Sequence, residues 1–190
     1  MANKDAAFGL KPIGKIGQNA DNNGLSEYDI AASATAIYFQ DPVEILATGT
    51  IGVAAAGDTT ILGSLNGVFF TDANTSKPTF ANHLDASNAA TDIKGFVTDD
   101  PYQRYEVQSD NSGASAQTDI GNVADIVYAA GSSPDYVSKV ELDDSDLATS
   151  DGQLKVIGVS RDPENNDLTS ANVNFVVTIN EHFLKQEAGV

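Results

Sequence analysis

The chain has 190 residues, and its 27 acidic against 10 basic side chains give a formal charge of −17, which repels a phosphate backbone and argues against nucleic-acid binding. It contains no cysteine, so disulfides, thiolate metal sites and a cysteine nucleophile are excluded and the fold must stand on packing and hydrogen bonds. No apolar run approaches the ~20 residues of a membrane span and "MANKDAAFGLKPIGKIG" lacks a signal-peptide core, so the expectation is a soluble protein made in the cytoplasm, with no membrane partner.

Residues 1–16 differ from the rest of the chain. Three lysines, Lys4, Lys11 and Lys15, stand against Asp5 alone, an arm of charge +2 on a body of −19. Phe8, Leu10, Ile13 and Ile16 lie outside any strand pattern and would gain by burial. The segment reads as an extended N-terminal arm that packs on a neighbouring subunit or a partner surface rather than on its own domain; the alternative is an untidy terminus. Residues 17–190 read as a single β-rich domain, with two small β lobes as a variant.

Strand-like runs dominate that body: "AIYF" at 36–39, "VEIL" at 43–46, "TTILGSL" at 59–65, "VFF" at 68–70, "IKGFV" at 93–97, "RYEVQ" at 104–108, "YVSKVEL" at 136–142, "LKVIGV" at 154–159 and "VNFVVTI" at 173–179. Nine or so short strands make the fold class all-β, an antiparallel β-barrel or jelly-roll-like module with long loops. In "VNFVVTI" the residues Val173, Phe175, Val177 and Ile179 share one face, and in "YVSKVEL" Tyr136, Val140 and Leu142 do so. Asn66-Gly67 supplies the chemistry of a tight hairpin between "ILGSL" and "VFF", and Asp151-Gly152 could do the same before "LKVIGV". "IGNVADIVYAAG" sets Ile120, Val123, Ala124 and Val127 at helical spacing, but its Val, Ile and Tyr suit a strand equally. "DDSDLAT" at 143–149 suits one helical turn. Two polar stretches, 71–92 and 108–119, read as long loops, either surface excursions that meet something or disordered segments. "DDPYQRYEVQSD" at 99–110 reads as a turn at Asp99-Asp100-Pro101 followed by a scaffold strand.

Candidate chemistry is sparse. Asn19-x-Asp21-x-Asn23-Gly24 copies the first half of an EF-hand loop but puts Ile30 where the bidentate Glu belongs, so it reads as a polar turn. "DPENND" at 162–167 clusters oxygens without a complete ligand set, which leaves weak calcium binding as the open alternative to a solvated loop. "GVAAAGDT" at 52–59 has P-loop glycine spacing with Asp58 in the lysine position, which reverses the electrostatics. His83 and His182 form no metalloprotease motif, and no nucleophile–base pair is visible. The paired acids Asp143-Asp144 are too common in so acidic a chain to nominate as a glycosidase dyad. Asn74-Thr75-Ser76 is a formal glycosylation sequon with no secretion signal to bring it into use. The expectation is no catalysis, no cofactor and no obligatory metal.

The order of "MANKDAAFGLKPI", "ATAIYFQDPVEIL", "TDDPYQRYEVQSD", "DIGNVADIV", "LKVIGVSRDPENN" and "VNFVVTINEHFLK" resembles that of the capsid decoration, or cement, proteins of tailed bacteriophages, through nearly the whole chain. The resemblance implies a β-rich module made in the host cytoplasm that oligomerises on the exterior of the virion capsid and clamps neighbouring capsomers, with the major capsid protein as partner and no catalytic residues. Symmetric shells favour a homotrimer, with a homodimer next. Contact candidates are Lys4, Phe8, Leu10, Lys11, Ile13, Lys15 and Arg104. The competing reading is a carbohydrate-binding or adhesin-like β module of a virion or cell surface that stacks sugars on Tyr102 or Tyr136, disfavoured by the lack of Trp and an aromatic content of 7%.

Overall fold

A computed structural model describes residues 2–17, 24–57, 60–112, 115–145, 147–148 and 150–185. Its strands, in chain order, are β1 (Lys11–Lys15), β2 (Ser26–Asp29), β3 (Pro42–Ile45), β4 (Ile51–Val53), β5 (Gly63–Thr71), β6 (Pro78–Ala81), β7 (Lys94–Thr98), β8 (Gln103–Gln108), β9 (Val123–Ala124), β10 (Ile126–Val127), β11 (Glu141–Leu142), β12 (Leu154–Val159) and β13 (Asn174–Ile179). Two single 3-10 turns, Gln117–Asp119 and Phe183–Lys185, are the helical elements among the described residues. The fold is all-β, and every ladder is antiparallel.

One sheet has five strands in the order β1-β8-β13-β12-β9; the other runs β2-β7-β5-β3-β4, with β6 as a further partner of β5; β10 and β11 form a separate pair. Each sheet has its own buried cluster. Tyr105, Val107, Leu154, Val156, Phe175 and Val177 lead the first, and Ile37, Val43, Ile51, Leu65, Val68 and Val97 the second. The alternation expected in "VNFVVTI" holds: β13 is the middle strand of its sheet, and Val173, Phe175, Val177 and Ile179 are all sealed from solvent.

The arm is where the expectation fails. Residues 11–15 form β1, paired with β8 from Lys11 opposite Glu106 to Lys15 opposite Gln103, so the boundary at 16/17 separates nothing and the arm packs on its own domain. Leu10 is 0% exposed and belongs to the core beneath the five-stranded sheet. Its N–H donates to the Gln40 carbonyl at 2.9 Å, and its carbonyl accepts from the Ser64 hydroxyl at 2.7 Å. Gly9 makes the approach possible: it takes φ 76°, and an added Cβ would clash with the Gln40 carbonyl oxygen and the Ser138 side chain. Further out, Gln108 accepts the Ala6 N–H through Oε1 at 2.8 Å and donates to the Lys4 carbonyl at 2.9 Å, which also accepts from Asn165 at 2.7 Å. Asn3 and Asp167 exchange two more hydrogen bonds. The partners of Asn3, Lys4 and Ala6 lie about a hundred or more residues away in sequence, so no local pattern could reveal them.

Three smaller expectations also change, and one open alternative, helix or strand in "IGNVADIV", is decided for strand. Asn66 and Gly67 lie inside the single long strand β5, where a register shift against β7 between Leu65 and Gly67 marks a bulge rather than a hairpin turn. The bulge sits where one edge of β5 passes from β3 to β6, the kind of re-aiming that bulges perform. Of "YVSKVEL" only Glu141–Leu142 is strand; Tyr136, which opens the run, takes φ 53°, and Val137 makes an isolated bridge to Phe39. Inside the polar stretch 71–92, β6 pairs with β5 where a continuous loop is expected. Asp151 and Gly152 do take positive φ, 68° and 139°. The part of "NADNNG" before Gly24, and Asp58 and Thr59, lie outside the described residues.

Candidate functional site

"DDPYQRYEVQ" is a turn plus strand β8, in line with its sequence. The Asp100 carbonyl accepts the Gln103 N–H at 2.9 Å, and its Oδ1 accepts the Tyr102 N–H at 2.8 Å. Lys15 pairs with Asp100 at 2.8 Å and holds that carboxyl below its usual range. Lys11 pairs with Glu106 at 3.2 Å, and Phe8 lies half-buried with the Lys11 ammonium 5.7 Å from its ring centre. Thus two of the three lysines of the arm neutralise acids of its own sheet. Of the seven contact candidates, Leu10 is lost to the core. Lys4 and Ile13 stay exposed, Ile13 at 39%.

Arg104 is not paired with any of the carboxylates around it. Its guanidinium has no ion pair within 4 Å among the described residues, and its Nε is buried without a hydrogen-bond acceptor. Glu106, two residues on and on the same face, is occupied by Lys11 and by the Ser160 hydroxyl. Arg104 borders a groove of about 550 Å³ that also takes in Ile13, Glu106, Ile157, Val159, Arg161 and Val176. It runs over the outer face of β1, β8, β13 and β12.

A second surface lies on the outer face of the other sheet. Phe80 of β6 stands directly opposite Phe69 of β5, their ring centres 4.7 Å apart, and the ring centre of Phe96, on β7 at the other edge of β5, lies 6.3 Å from that of Phe80. Phe80 is 75% exposed. Leu25 and Gly67 extend this depression, about 520 Å³ in volume. Lys94 borders the aromatic row on the same face, held by Asp29 at 2.7 Å and Glu27 at 3.3 Å. An aromatic centre with a charged margin is the anatomy of a protein-binding patch. Sequence reasoning misses this surface: its one signal is Phe80 within "SKPTFANH", in a stretch with the composition of a polar loop.

Other candidates resolve as structure. Burial pushes the His182 imidazole down to about 4, and its Nδ1 accepts the Leu184 N–H at 3.1 Å. His83 stacks on Tyr136 with ring centres 3.8 Å apart, which covers one face of that tyrosine, and the Lys185 ammonium lies 5.0 Å from the ring centre of Tyr102. Neither ring therefore offers two open faces to a sugar. In "DPENND", Asp162 accepts the Glu164 N–H while Asn165 clamps the arm. Among the described residues no group of three or more acidic or histidine side chains is arranged to hold a metal ion. No family model matches the chain, and no curated protein or solved structure matches it.

Proposed function

We propose that this chain is a structural virion protein that decorates the outer surface of a tailed-phage head and reinforces contacts between capsomers, acting without catalysis, cofactor or nucleic acid. The observation that carries the reading is the row Phe69, Phe80 and Phe96 on the outer face of an antiparallel sheet, with Phe80 three-quarters exposed. Such a row is costly to leave in water and gains by docking, because each ring buries a large apolar area with few rotatable bonds. The major capsid protein is the partner, and the resemblance carried by the order of motifs along the chain supports that choice. The acidic body suits an exterior position away from packaged DNA and keeps decorated particles from associating. A homotrimer, or failing that a homodimer, engages several capsomers at once and gains effective concentration without any single large interface.

The test is binding of purified chain to undecorated heads by cosedimentation. Phe80→Ala should weaken binding by a factor of roughly thirty, the equivalent of a hot spot worth about 2 kcal/mol, with the circular dichroism spectrum and melting temperature unchanged. A virion reconstruction that places the chain inside the shell, or at the tail vertex alone, would overturn the assignment.

A further inference from the structure

Arg104 and Arg161 are the only arginines in the chain, and they border the same groove. The fold brings them there from different strands: Arg104 lies near the start of β8, and Arg161 two residues past the end of β12. Neither has a carboxylate within 4 Å among the described residues, in a protein with 27 acidic side chains. The same lining holds Ile13 and Ile157, 39% and 37% exposed, with Val159, Val176 and the Glu106 carboxylate, whose charge Lys11 balances. Two uncompensated guanidiniums over an aliphatic floor suit a carboxylate-bearing protein segment, since Arg pairs carboxylates in bidentate geometry while its stem packs on apolar surface.

The matching chemistry lies at the opposite end of β8. Asp110 follows that strand, and its Oδ1 accepts from the Ser112 hydroxyl at 2.7 Å; Asp143 and Asp144 place oxygens 3.0 Å and 3.2 Å from the same hydroxyl. Asp5 and Glu141 adjoin this cluster, and burial together with Asp5, Asp110 and Asp144 raises the Glu141 carboxyl to about 7. The excess of negative charge there mirrors the excess of positive charge at the groove. Arg104 and Asp110 are six residues apart along an extended strand, roughly 20 Å at ~3.3 Å per residue, so the two patches cannot meet within one molecule.

We propose that the Arg104–Arg161 groove seats the Asp5–Asp110–Glu141 end of a second copy, joining copies head to tail. Such a contact uses two different patches of each subunit, so its repetition builds a ring when the rotation closes. The occupant is a second copy because this chain itself carries the complementary acidic face. The contact lies on the five-stranded sheet and leaves the Phe80 surface of the other sheet free, so it can fail while the decoration reading stands, and the reverse.

The test is the solution mass of the purified full-length chain by light scattering, without any capsid present. The wild type should be an oligomer. Arg161→Glu, at an exposed position, should raise the dissociation constant at least roughly ten-fold, and Arg104→Glu/Arg161→Glu should leave monomer, as should Asp5→Lys/Glu141→Lys. An equimolar mixture of the two double variants should regain association, because each then presents the charge that the other lacks, and this recovery separates a lost contact from a lost fold. A monomeric wild type at high micromolar concentration, an unchanged mass in either double variant, or a mixture that stays monomeric would overturn the proposal.

Discussion

Asp41 makes the stability of the fold depend on pH. The side chain is 0% exposed; one oxygen accepts the Tyr38 N–H at 2.7 Å, the Ser138 hydroxyl also bonds the carboxyl, and Oδ1 has no partner. Burial outweighs these bonds and pushes the carboxyl up from 3.8 to about 6. A carboxyl whose folded value lies above its unfolded value contributes stability below the unfolded value, and that stability is lost as pH rises through the folded one. About two units at 1.36 kcal/mol each give about 3 kcal/mol over the whole window, of which about 1 kcal/mol falls between pH 5 and pH 8. Asp41→Asn keeps an oxygen for the Tyr38 N–H and removes the titration. Urea unfolding of both proteins at the two pH values isolates the effect, because Glu141 and Glu181, whose carboxyls are also raised, titrate in both and cancel in the difference. The wild type should lose about 1 kcal/mol more than the variant on going from pH 5 to pH 8. Identical pH dependences would refute the reasoning, since Asp41 would then ionise in the folded protein without cost.

Leu10→Ala should destabilise the protein by about 3 kcal/mol, from three lost carbons and the cavity they leave, whereas Ile13→Ala, two-fifths exposed, should cost less than about 1 kcal/mol; chemical denaturation of the pair checks whether the arm is core or tether. Phe175→Asp places a charge at a fully buried site in the middle strand of the five-stranded sheet, and with a penalty of roughly 3–5 kcal/mol or more the variant should show no cooperative melt by circular dichroism.

The parts of the fold that are legible in the sequence are those where one side of a strand is buried by its neighbours. β13 shows this best: alternation in "VNFVVTI" marks its sealed face, and "RYEVQ" marks β8 in the same way. The arm is illegible because the groups that bury it are remote. Phe8 and Leu10 sit in no local apolar pattern, yet Gln108, Asn165 and the Gln40 carbonyl, brought by three different segments, hold the backbone around them. Asn66-Gly67 misleads for a related reason: the dipeptide is compatible with a hairpin, but a nine-residue strand that exchanges partners along one edge uses the same residues for a bulge. Phe80 is hidden by polar composition on both sides, and only the pairing of β6 with β5 sets its ring beside Phe69. Arg104 stands out in the sequence as a rare cation, but its groove depends on Arg161, brought from another strand, and on Lys11 balancing the charge of Glu106.

Pairing within the arm decides which charges remain for partners. A basic tether of charge +2 would be the natural device for finding an acidic surface, but Lys11 and Lys15 compensate Glu106 and Asp100 within the same sheet. Exposed pairs of this kind stabilise little by themselves; their effect is to set which cations stay available. Glu106 lines the same groove as Arg104, and its charge is balanced by Lys11. With Lys11 in place the guanidiniums remain uncompensated, on a surface whose aliphatic floor gains by being covered. The two surfaces then differ in chemistry as well as position: an aromatic row on one sheet that selects by shape and apolar area, and a cationic groove on the other that selects by charge. Under the proposed decoration role, binding both its own copies and a shell calls for that separation, because two patches of like chemistry would compete for one partner.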